Sequence, residues 1–190
     1  MTGWMPRADP PRTPMRGRFC IVEPLDAARH GADLHAAHSH APDDRDWTYL
    51  PDEKPAERQA FDAWCERLAG SRDPMHHAIV DRATGRAAGS ATFMRIDAGN
   101  GVIEVGAIIF SPLLQRHVAG TEAIFLMMRR AFDELGYRRL EWKCDALNGP
   151  SRAAALRYGF RFEGVFRQAV VVKLRRRDTA WYSMGTIRLT

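Results

Sequence analysis

The stretch IEVGAIIFSPLLQRHVAGT, residues 103–121, decides the fold of this chain. Its first eight residues are apolar or glycine apart from Glu104, which is typical of a central strand buried on both faces. A polar loop follows, and beyond Gly120 the apolar residues recur at helical spacing. The N-terminus of such a helix offers free backbone N–H groups and a positive dipole end, which together can hold phosphates. We therefore predict a strand over 103–110 that leads into an anion-binding helix over 121–135.

A second stretch, LEWKCDALNGPS at residues 140–151, repeats this arrangement. It predicts a strand over 140–145 and then a helix that begins near Ser151. Asn148 and Ser151 are ordinary capping residues, and Pro150 suits the first turn of a helix because its missing N–H is not needed there. Two helix N-termini that follow two strands in close succession favour a phosphate-bearing cofactor, with an amide and a hydroxyl beside it.

The rest of the chain changes its hydrophobic period along its length. Two helices are expected first, from Asp26 to about His38 and from Pro55 to Gly70. The remaining segments predict strands at 19–23, 76–80, 87–94, 161–174 and 179–188. Helices, then strands, then alternating strands and helices, then a final pair of strands indicate an α+β domain with a mixed sheet.

Length and charge limit the possible classes of protein. The chain has 190 residues, enough for one domain, which we expect at 16–190 after a flexible tail at 1–15. The net charge of +5 comes from the first 18 residues and from the basic segment 165–177, so the remainder is slightly acidic. We therefore expect no nucleic-acid partner. No run of about 18 apolar residues occurs, so we expect no membrane partner either.

Cysteine and histidine are arranged unlike the ligands of a metal site. The three cysteines are far apart and form no C-x-x-C pair, which favours buried free thiols in a reducing cytoplasm over zinc. Four histidines, at positions 30, 35, 38 and 40, lack an evident carboxylate partner, and we expect them at a solvated helix end. The basic run 175–177 is expected in a solvated β-turn. We therefore expect a cytoplasmic protein without a metal.

The loop before the long helix resembles a known motif. Gln115 and Gly120 match the first and last positions of motif A in the GNAT family of acyl-CoA N-acyltransferases, whose pattern is Q/R-x-x-G-x-G/A. Val118 stands where the pattern has its middle glycine. A β-branched residue tolerates a positive φ poorly, so the loop can bind a pyrophosphate if Val118 keeps a negative φ. The loop matches neither a P-loop nor a G-x-G-x-x-G motif, which disfavours nucleoside triphosphates and dinucleotides.

The second stretch adds to the resemblance. Asn148 and Ser151, followed by Gly159-Phe160, resemble the N-x-x-[AS]…G-F segment of the same family. Many members carry a Tyr seven residues after the Asn as the acid for the departing thiolate, and this chain has Ala155 there. A serine in the position of Ser151 is proposed for that role in the branch of the Rim-type ribosomal-protein alanine/serine N-acetyltransferases. Three further segments are similar to that branch: 47–51, 140–148 and 161–167.

The resemblance implies both a fold and an activity. The implied fold is that of a GNAT acyl-CoA N-acyltransferase, a mixed and mostly antiparallel sheet with helices on both faces. The implied activity is the acetyl-CoA-dependent transfer of an acetyl group to a primary amine by direct attack in a ternary complex. The amine belongs to a protein N-terminus or to a small molecule. The chain is expected to be a monomer or a homodimer.

The resemblance also implies residue roles. The pyrophosphate of acetyl-CoA would lie on the N–H groups of the 116–121 loop, and its pantetheine arm would follow the 108–110 backbone, where an N–H near Ile109 would polarise the thioester carbonyl. Ser151 would donate to the leaving thiolate, and Asn148 would orient Ser151 or a pantetheine carbonyl. The expected cofactor-binding residues are Ile108, Ile109, Phe110, Gln115, Arg116, His117, Val118, Ala119, Gly120, Thr121, Asn148 and Ser151.

The acceptor side has fewer candidates. As the sole charge of an apolar strand, Glu104 is either a satisfied cross-strand charge or the base that takes the proton from the amine. Trp47 and Tyr49 are expected to line the acceptor site with it. Two alternatives stay open. One is a non-catalytic CoA-binding regulatory module, since the family's usual tyrosine is absent, and the other is a small-amine or antibiotic acetyltransferase.

Overall fold

One eight-stranded sheet forms the centre of the protein. The computed structural model describes residues 3–185. In chain order the strands are β1 Met15–Arg16, β2 Cys20–Pro24, β3 Met75–Asp81, β4 Arg86–Asp97, β5 Val102–Phe110, β6 Arg139–Asp145, β7 Arg161–Val172 and β8 Arg175–Gly185. They lie in the order β1-β2-β3-β4-β5-β6-β8-β7, and every pair is antiparallel except β5 with β6. The α+β fold with a mixed, mostly antiparallel sheet is confirmed.

Four α-helices connect these strands in the described residues. They are α1 Ala27–His38, α2 Arg58–Ala69, α3 Val118–Arg129 and α4 Gly149–Arg157. A 3-10 turn, Arg45–Trp47, lies between α1 and α2, and a π-helical turn, Arg130–Glu134, continues α3. Among the helices described, none has the length and apolar character needed to cross a membrane.

Two apolar clusters cover the two faces of the sheet. The larger packs α3 against the sheet and includes Ile79, Ile124 and Leu140. The second joins α1 and α2 to the sheet and includes Val80 and Phe61. Because Ile79 and Val80 are neighbours on one strand, they point to opposite faces. Helices therefore cover both faces of the sheet, as expected.

The sheet opens at its centre. β5 and β6 pair over three residues each, and the pairing ends at Glu104 and Glu141. Beyond that point β5 continues to Phe110 beside β4, and β6 continues to Asp145 beside β8. The C-terminal halves of β5 and β6 therefore diverge and leave a split between them.

Two predicted helix starts were wrong. The second helix begins at Arg58 instead of Pro55, because Glu57 is still extended with φ −100° and ψ 149°. The long helix begins at Val118 instead of Thr121, because the side chain of His117 caps it. Gly120 therefore lies in the first turn of α3 and not before it.

The turn between the last two strands also differs from expectation. Lys173 and Leu174 form it with φ values of +48° and +60°, which is the backbone of a tight hairpin turn. Residues 175–177 consequently belong to β8, and the expected solvated turn at these positions was wrong. Of the strand predicted over 179–188, residues 186–188 lie outside the described residues.

The N-terminal segment lies along the domain. The indole N–H of Trp4 donates to the carbonyl of Gly99 at 2.8 Å, and the hydroxyl of Tyr137 donates to the carbonyl of Ala8 at 3.2 Å. Met15–Arg16 adds a short strand to the sheet edge. The domain bounds of 16–190 and the flexibility of residues 1–15 stay predictions.

Candidate active site

Two helices start where the diverging strands end. β5 ends at Phe110, and the loop 111–117 leads into α3. β6 ends at Asp145, and residues 146–148 lead into α4. The N-termini of both helices therefore follow the C-terminal ends of the strands that form the split, and each can offer N–H groups to an anion.

β5 is distorted where it leaves β6. Its register with β4 shifts between the pairs Ser90–Ile109 and Thr92–Gly106, so neither Ala107 nor Ile108 has a partner on β4. Ala107 has a φ of +43°, and the backbone at Gly106 passes so close to Met94 that an added Cβ would lie 2.7 Å from its Sδ. This β-bulge frees backbone groups of β5 beside the split.

The loop before α3 has the backbone that an anion site needs. Val118 is not among the residues with positive φ, so the condition set on it is met, while Arg116 has a φ of +58°. The Nδ1 atom of His117 accepts a hydrogen bond from the N–H of Ala119 at 3.3 Å. Within the described chain, no backbone acceptor is recorded for the N–H groups of Arg116 and Val118. These two donors and the helix dipole are therefore free for a ligand.

Gly120 marks how closely the loop packs. A Cβ at this position would lie 3.0 Å from the carbonyl oxygen of Leu114 and 3.0 Å from the ring of Phe110. Real Cβ contacts are rarely this short, so a larger residue would push the loop or the Phe110 ring aside. The requirement for glycine here is steric, since Gly120 lies in the helix without a positive φ.

A cleft of about 460 Å³ opens at the start of α3. Its wall combines Phe110 and the 116–121 loop with two residues that sequence reasoning did not assign to the site, Arg157 and Tyr158. Arg157 Nη2 donates to the Tyr158 hydroxyl at 3.1 Å. No spacing in the sequence connects Tyr158 with the distant 116–121 loop. The cleft therefore has cationic, aromatic and N–H groups together.

Asn148 and Ser151 lie at the start of α4 as expected. The Asn148 side chain accepts from the N–H of Ser151 at 3.1 Å and so caps the helix. The Ser151 hydroxyl accepts from the indole N–H of Trp142 at 3.0 Å, so its own proton can be donated to a ligand or to the neighbouring Cys144 sulfur. Burial raises the pKa of the neighbouring Cys144 thiol, while a hydrogen bond with Ser151 and the charge of Arg177 act in the opposite direction.

Glu104 lies at the point where β5 and β6 separate, and its side chain is 2% exposed. Both of its oxygens accept from Arg95 Nη1 at 2.8 Å, and Oε2 lies 2.9 Å from Lys143 Nζ. Lys143 also lies 2.7 Å from Glu141 Oε2 and 3.9 Å from the centre of the Trp181 ring. Sequence reasoning missed these partners because strand register brings them together. Glu104 is a paired cross-strand charge at the base of the split, and its role as a base stays a prediction.

The family follows from this arrangement and from comparison with known proteins. Residues 22–161 match the model of the acetyltransferase (GNAT) domain. The chain belongs to the GNAT acetyltransferase family. Its class of activity is therefore acyl transfer, and acetyl-CoA is the co-substrate that the family implies.

Solved structures agree with this assignment. A GCN5-related N-acetyltransferase from Brucella melitensis is 49% identical, with a TM-score of 0.95 over 97% of this chain and 84% of that one. A probable GNAT-family acetyltransferase from Chromobacterium violaceum is 40% identical, with a TM-score of 0.89 over 97% and 92%. At 18% identity and a TM-score of 0.74, over 90% and 98%, a Salmonella typhimurium acetyl transferase that modifies the N-terminal serine of a ribosomal subunit protein shares the fold. Among curated proteins, none matches the sequence.

The residues of this GNAT domain fit acetyl-CoA. The cleft at α3 has two free N–H groups, the cations Arg116 and Arg157, and a glycine whose Cβ would crowd the loop. Backbone groups freed by the β5 bulge lie along the split. The side chain of Gln115 binds other parts of the protein instead of pointing free toward a phosphate. Its Nε2 donates to Asp46 Oδ2 at 2.8 Å and to the carbonyl of Phe110 at 3.0 Å.

The segment 45–54 between α1 and α2 contains Trp47 and Tyr49, the two aromatic residues expected at the acceptor site. Trp47 is 2% exposed and packs in the second apolar cluster, so its side chain contacts Trp64 instead of an open acceptor cleft. Its carbonyl accepts from Lys173 Nζ at 2.9 Å. The hydroxyl of Tyr49 donates to the carbonyl of Leu147 at 3.1 Å, beside the start of α4. The segment is therefore fastened to the β7–β8 turn and to the β6–α4 loop.

The histidines take structural positions. His30 Nε2 lies 3.0 Å from Glu23 Oε1, and both His30 and His38 are buried, so the expected solvated helix end was wrong for these two. Burial lowers the pKa of His38 and of His76 to about 4, which keeps both rings neutral at pH 7. Within residues 3–185, no group of three or more His, Cys, Asp or Glu side chains is arranged to hold a metal ion.

Proposed function

We propose that this protein transfers the acetyl group of acetyl-CoA to a primary amine by direct attack of the amine in a ternary complex. Acetyl-CoA, when bound, supplies a thioester whose carbonyl carbon the amine attacks. The protein binds both substrates and moves protons. The single observation that carries the proposal is the split between β5 and β6, which has a free helix N-terminus at one end and the buried carboxylate of Glu104 at its base.

The cofactor side of the site uses mainly backbone. The N–H groups of Arg116 and Val118 hold the pyrophosphate with the α3 dipole, and the side chains of Arg116 and Arg157 add positive charge. The unpaired backbone of the β5 bulge, followed by Ile109, orients the pantetheine arm and polarises the thioester carbonyl.

The two proton transfers use side chains. Ser151 donates its hydroxyl proton to the leaving thiolate, at a helix N-terminus that favours negative charge. Glu104 accepts the proton of the amine, through a water molecule because Arg95 and Lys143 already bind its oxygens. Tyr158 is the rival acid, since it lines the cleft at the start of α3.

The acceptor is a primary amine on a slender molecule: a flexible peptide N-terminus or a small amine. This follows from the hydrogen bonds that fasten residues 45–54 to three neighbouring elements through Gln115, Tyr49 and Lys173. A segment that is held by hydrogen bonds at three points does not readily move aside for a folded protein surface. The Rim-type branch, in which the acceptor is a protein N-terminus, is supported by the position of Ser151 and by distant neighbours of the same fold.

An acceptor screen tests the proposal. Purified protein is incubated with acetyl-CoA and one of several amines, namely N-terminal peptides, polyamines or aminoglycosides, and free thiol is measured. Amine-dependent release of thiol with acetylated product is the expected result. If none of the acceptors causes thiol release while coenzyme A still binds tightly, the protein is instead a non-catalytic CoA-binding module. The buried free thiols of Cys20, Cys65 and Cys144 support a reducing, cytoplasmic location.

A further inference from the structure

The first half of β8 extends past the end of β6. The last pair between these strands joins Asp145 to Thr179. Residues 175–177 therefore pair with β7 on one side and with no strand on the other, while the carbonyl of Asp178 accepts from the N–H of Ala146 just past the end of β6. No register shift interrupts β8 against β6. Because side chains alternate along a strand, Arg175, Arg177 and Trp181 share one face, and Arg176 lies on the other.

Two donors on this shared face are buried without a partner. The Nε atom of Arg177 and the Nε1 atom of Trp181 are shielded from solvent and make no hydrogen bond within the described chain. Buried polar groups are nearly always hydrogen-bonded, so each such donor needs an explanation. A ligand group that accepts hydrogen bonds and binds along this face of β8 would supply the missing partner.

The charges nearby favour a negative ligand group. Arg175 Nη2 is 3.8 Å from Asp145 Oδ2, a loose contact, and Arg177 has no ion pair within residues 3–185. Asp145 is itself engaged, since its Oδ1 accepts from the N–H of Leu147 at 2.9 Å. Lys143, the other cation at Trp181, is neutralised by Glu104 and Glu141. Arg177 is therefore the cation of this face with unused binding capacity.

The face of β8 that carries Arg177 also leads to the proposed base. Trp181 lies on this face, and the centre of its ring is 3.9 Å from Lys143 Nζ. Lys143 Nζ is in turn 2.9 Å from Glu104 Oε2. A ligand group bound by Arg177 is therefore on the face of the sheet where Glu104, the proposed base for the amine, is held.

We propose that the acceptor carries a carboxylate close to its amine and that Arg177, assisted by Arg175, binds this carboxylate. A guanidinium offers paired N–H donors in the plane that a carboxylate accepts, so the match is geometric as well as electrostatic. The inference rests on the proposed function, because it names the class of acceptor for the same site. An acidic peptide N-terminus and a free amino acid both satisfy it.

The test compares matched acceptors in wild type and two variants. One pair is a short peptide with Asp and Glu after its first residue and the same peptide with Asn and Gln. The other pair is a free amino acid and its carboxamide. The variants are Arg177→Gln and, as the matched control, Arg176→Gln, which removes the same charge from the opposite face of β8. Thiol release gives kcat/KM, and peptide affinity for the coenzyme A complex is measured by calorimetry.

We expect wild type to prefer the acidic member of a pair by about 10-fold to 100-fold, the range of a charged hydrogen bond. Arg177→Gln should lose this preference without a change for the neutral acceptor or for coenzyme A, and Arg176→Gln should keep it. If wild type prefers the acidic member of the peptide pair alone, the acceptor is a peptide N-terminus. If it prefers the free amino acid over its carboxamide, the acceptor is a small molecule. Equal binding of acidic and neutral peptides, or equal effects of the two variants, overturns the inference. If no acceptor releases thiol, the proposed transfer fails, while the binding comparison still decides the role of Arg177.

Discussion

The proposed cofactor side and the proposed acceptor side of the split are built differently. The cofactor side is continuous in sequence, since β5, the 111–117 loop and the start of α3 follow one another, and its contacts come mostly from backbone N–H groups. The acceptor side is assembled from segments that are distant in sequence, namely β4, β5, β6, the α1–α2 segment and the β7–β8 turn. Its contacts are mostly side-chain contacts, such as the ion pairs of Glu104 with Arg95 and Lys143 and the hydrogen bond from Lys173 to the carbonyl of Trp47. Local sequence can specify a backbone site, whereas a site made of side chains from distant segments depends on register.

The largest expected effect tests whether Glu104 belongs to the chemistry or to the ion-pair network. If Glu104 is the sole base, Glu104→Gln should lower kcat/KM by about 10²–10⁴. A base works only in its deprotonated form, so wild-type activity falls as pH falls, and removing the base should flatten this acidic side of the pH profile. Steady-state rates across pH provide the measurement.

Glu141→Gln is the matched control for this change. It also removes one carboxylate from Lys143, which lies 2.7 Å from Glu141 and 2.9 Å from Glu104, but it leaves the proposed base intact. We expect Glu141→Gln to keep the acidic side of the profile. Similar rates and profiles for both variants, with similar losses in unfolding free energy, would make Glu104 a structural residue that holds the strands at the start of the split.

The same contrast explains which features the sequence predicted. The strands on either side of the split follow from hydrophobic period, and the start of α4 follows from the capping residue Asn148. The roles of Gln115, Gly120, Asn148 and Ser151 in the site stay predictions. The partners of Glu104 and the positions of Trp47 and Tyr158 were not found. Each depends on which strand or helix lies opposite, and periodicity gives no register. Trp47 shows the limit most clearly, since it was expected to line the acceptor site and its side chain is buried in the second apolar cluster.

The next effect tests the cofactor side by itself. Gly120→Val should weaken coenzyme A binding by about 10-fold to 100-fold, because overpacking typically costs about 1–3 kcal/mol and the new side chain meets the Leu114 carbonyl and the Phe110 ring. Isothermal titration with coenzyme A measures it. Gly164→Val is the control, since no atom lies within 4 Å of a Cβ at that position on β7. If Gly120→Val and Gly164→Val bind coenzyme A with equal affinity, the 116–121 loop is not part of the cofactor site.

A smaller effect separates the two candidate acids, which lie at opposite ends of α4. Ser151→Ala should lower kcat by about 3-fold to 10-fold and change KM less, the pattern of a hydrogen bond made in the transition state. The helix keeps its cap in this variant because Asn148 supplies it, so unfolding should shift only by the lost bond with Trp142. Tyr158→Phe is measured in parallel. Full kcat in Ser151→Ala together with a loss in Tyr158→Phe would transfer the role to Tyr158.

The smallest effect tests how far the ion pairs of the acceptor side extend. Arg139 joins Glu141 to Glu163, and its hydrogen bond to Glu163 lowers the pKa of that carboxyl to about 2. A carboxyl group whose pKa is lower when folded stabilises the protein above its unfolded pKa of about 4.3, and this stabilisation is lost as the pH falls toward 2. The Glu163 side chain is 39% exposed, so solvent screening reduces the contribution to about 0.2–1 kcal/mol.

Urea unfolding of wild type and Glu163→Gln at pH 7 and at pH 2.5 measures this contribution. We expect the unfolding free energies of wild type and Glu163→Gln to differ by at most about 1 kcal/mol at pH 7. This difference should be smaller at pH 2.5, because Glu163 of the wild type then begins to take up a proton. Glu66→Gln is the control on α2, where no ion pair of Glu66 is found in the described chain, and it should change neither value. If the difference in unfolding free energy between wild type and Glu163→Gln does not change with pH, it arises from the hydrogen bond of the Ser183 hydroxyl alone. The ion pair between Arg139 and Glu163 then contributes nothing to stability.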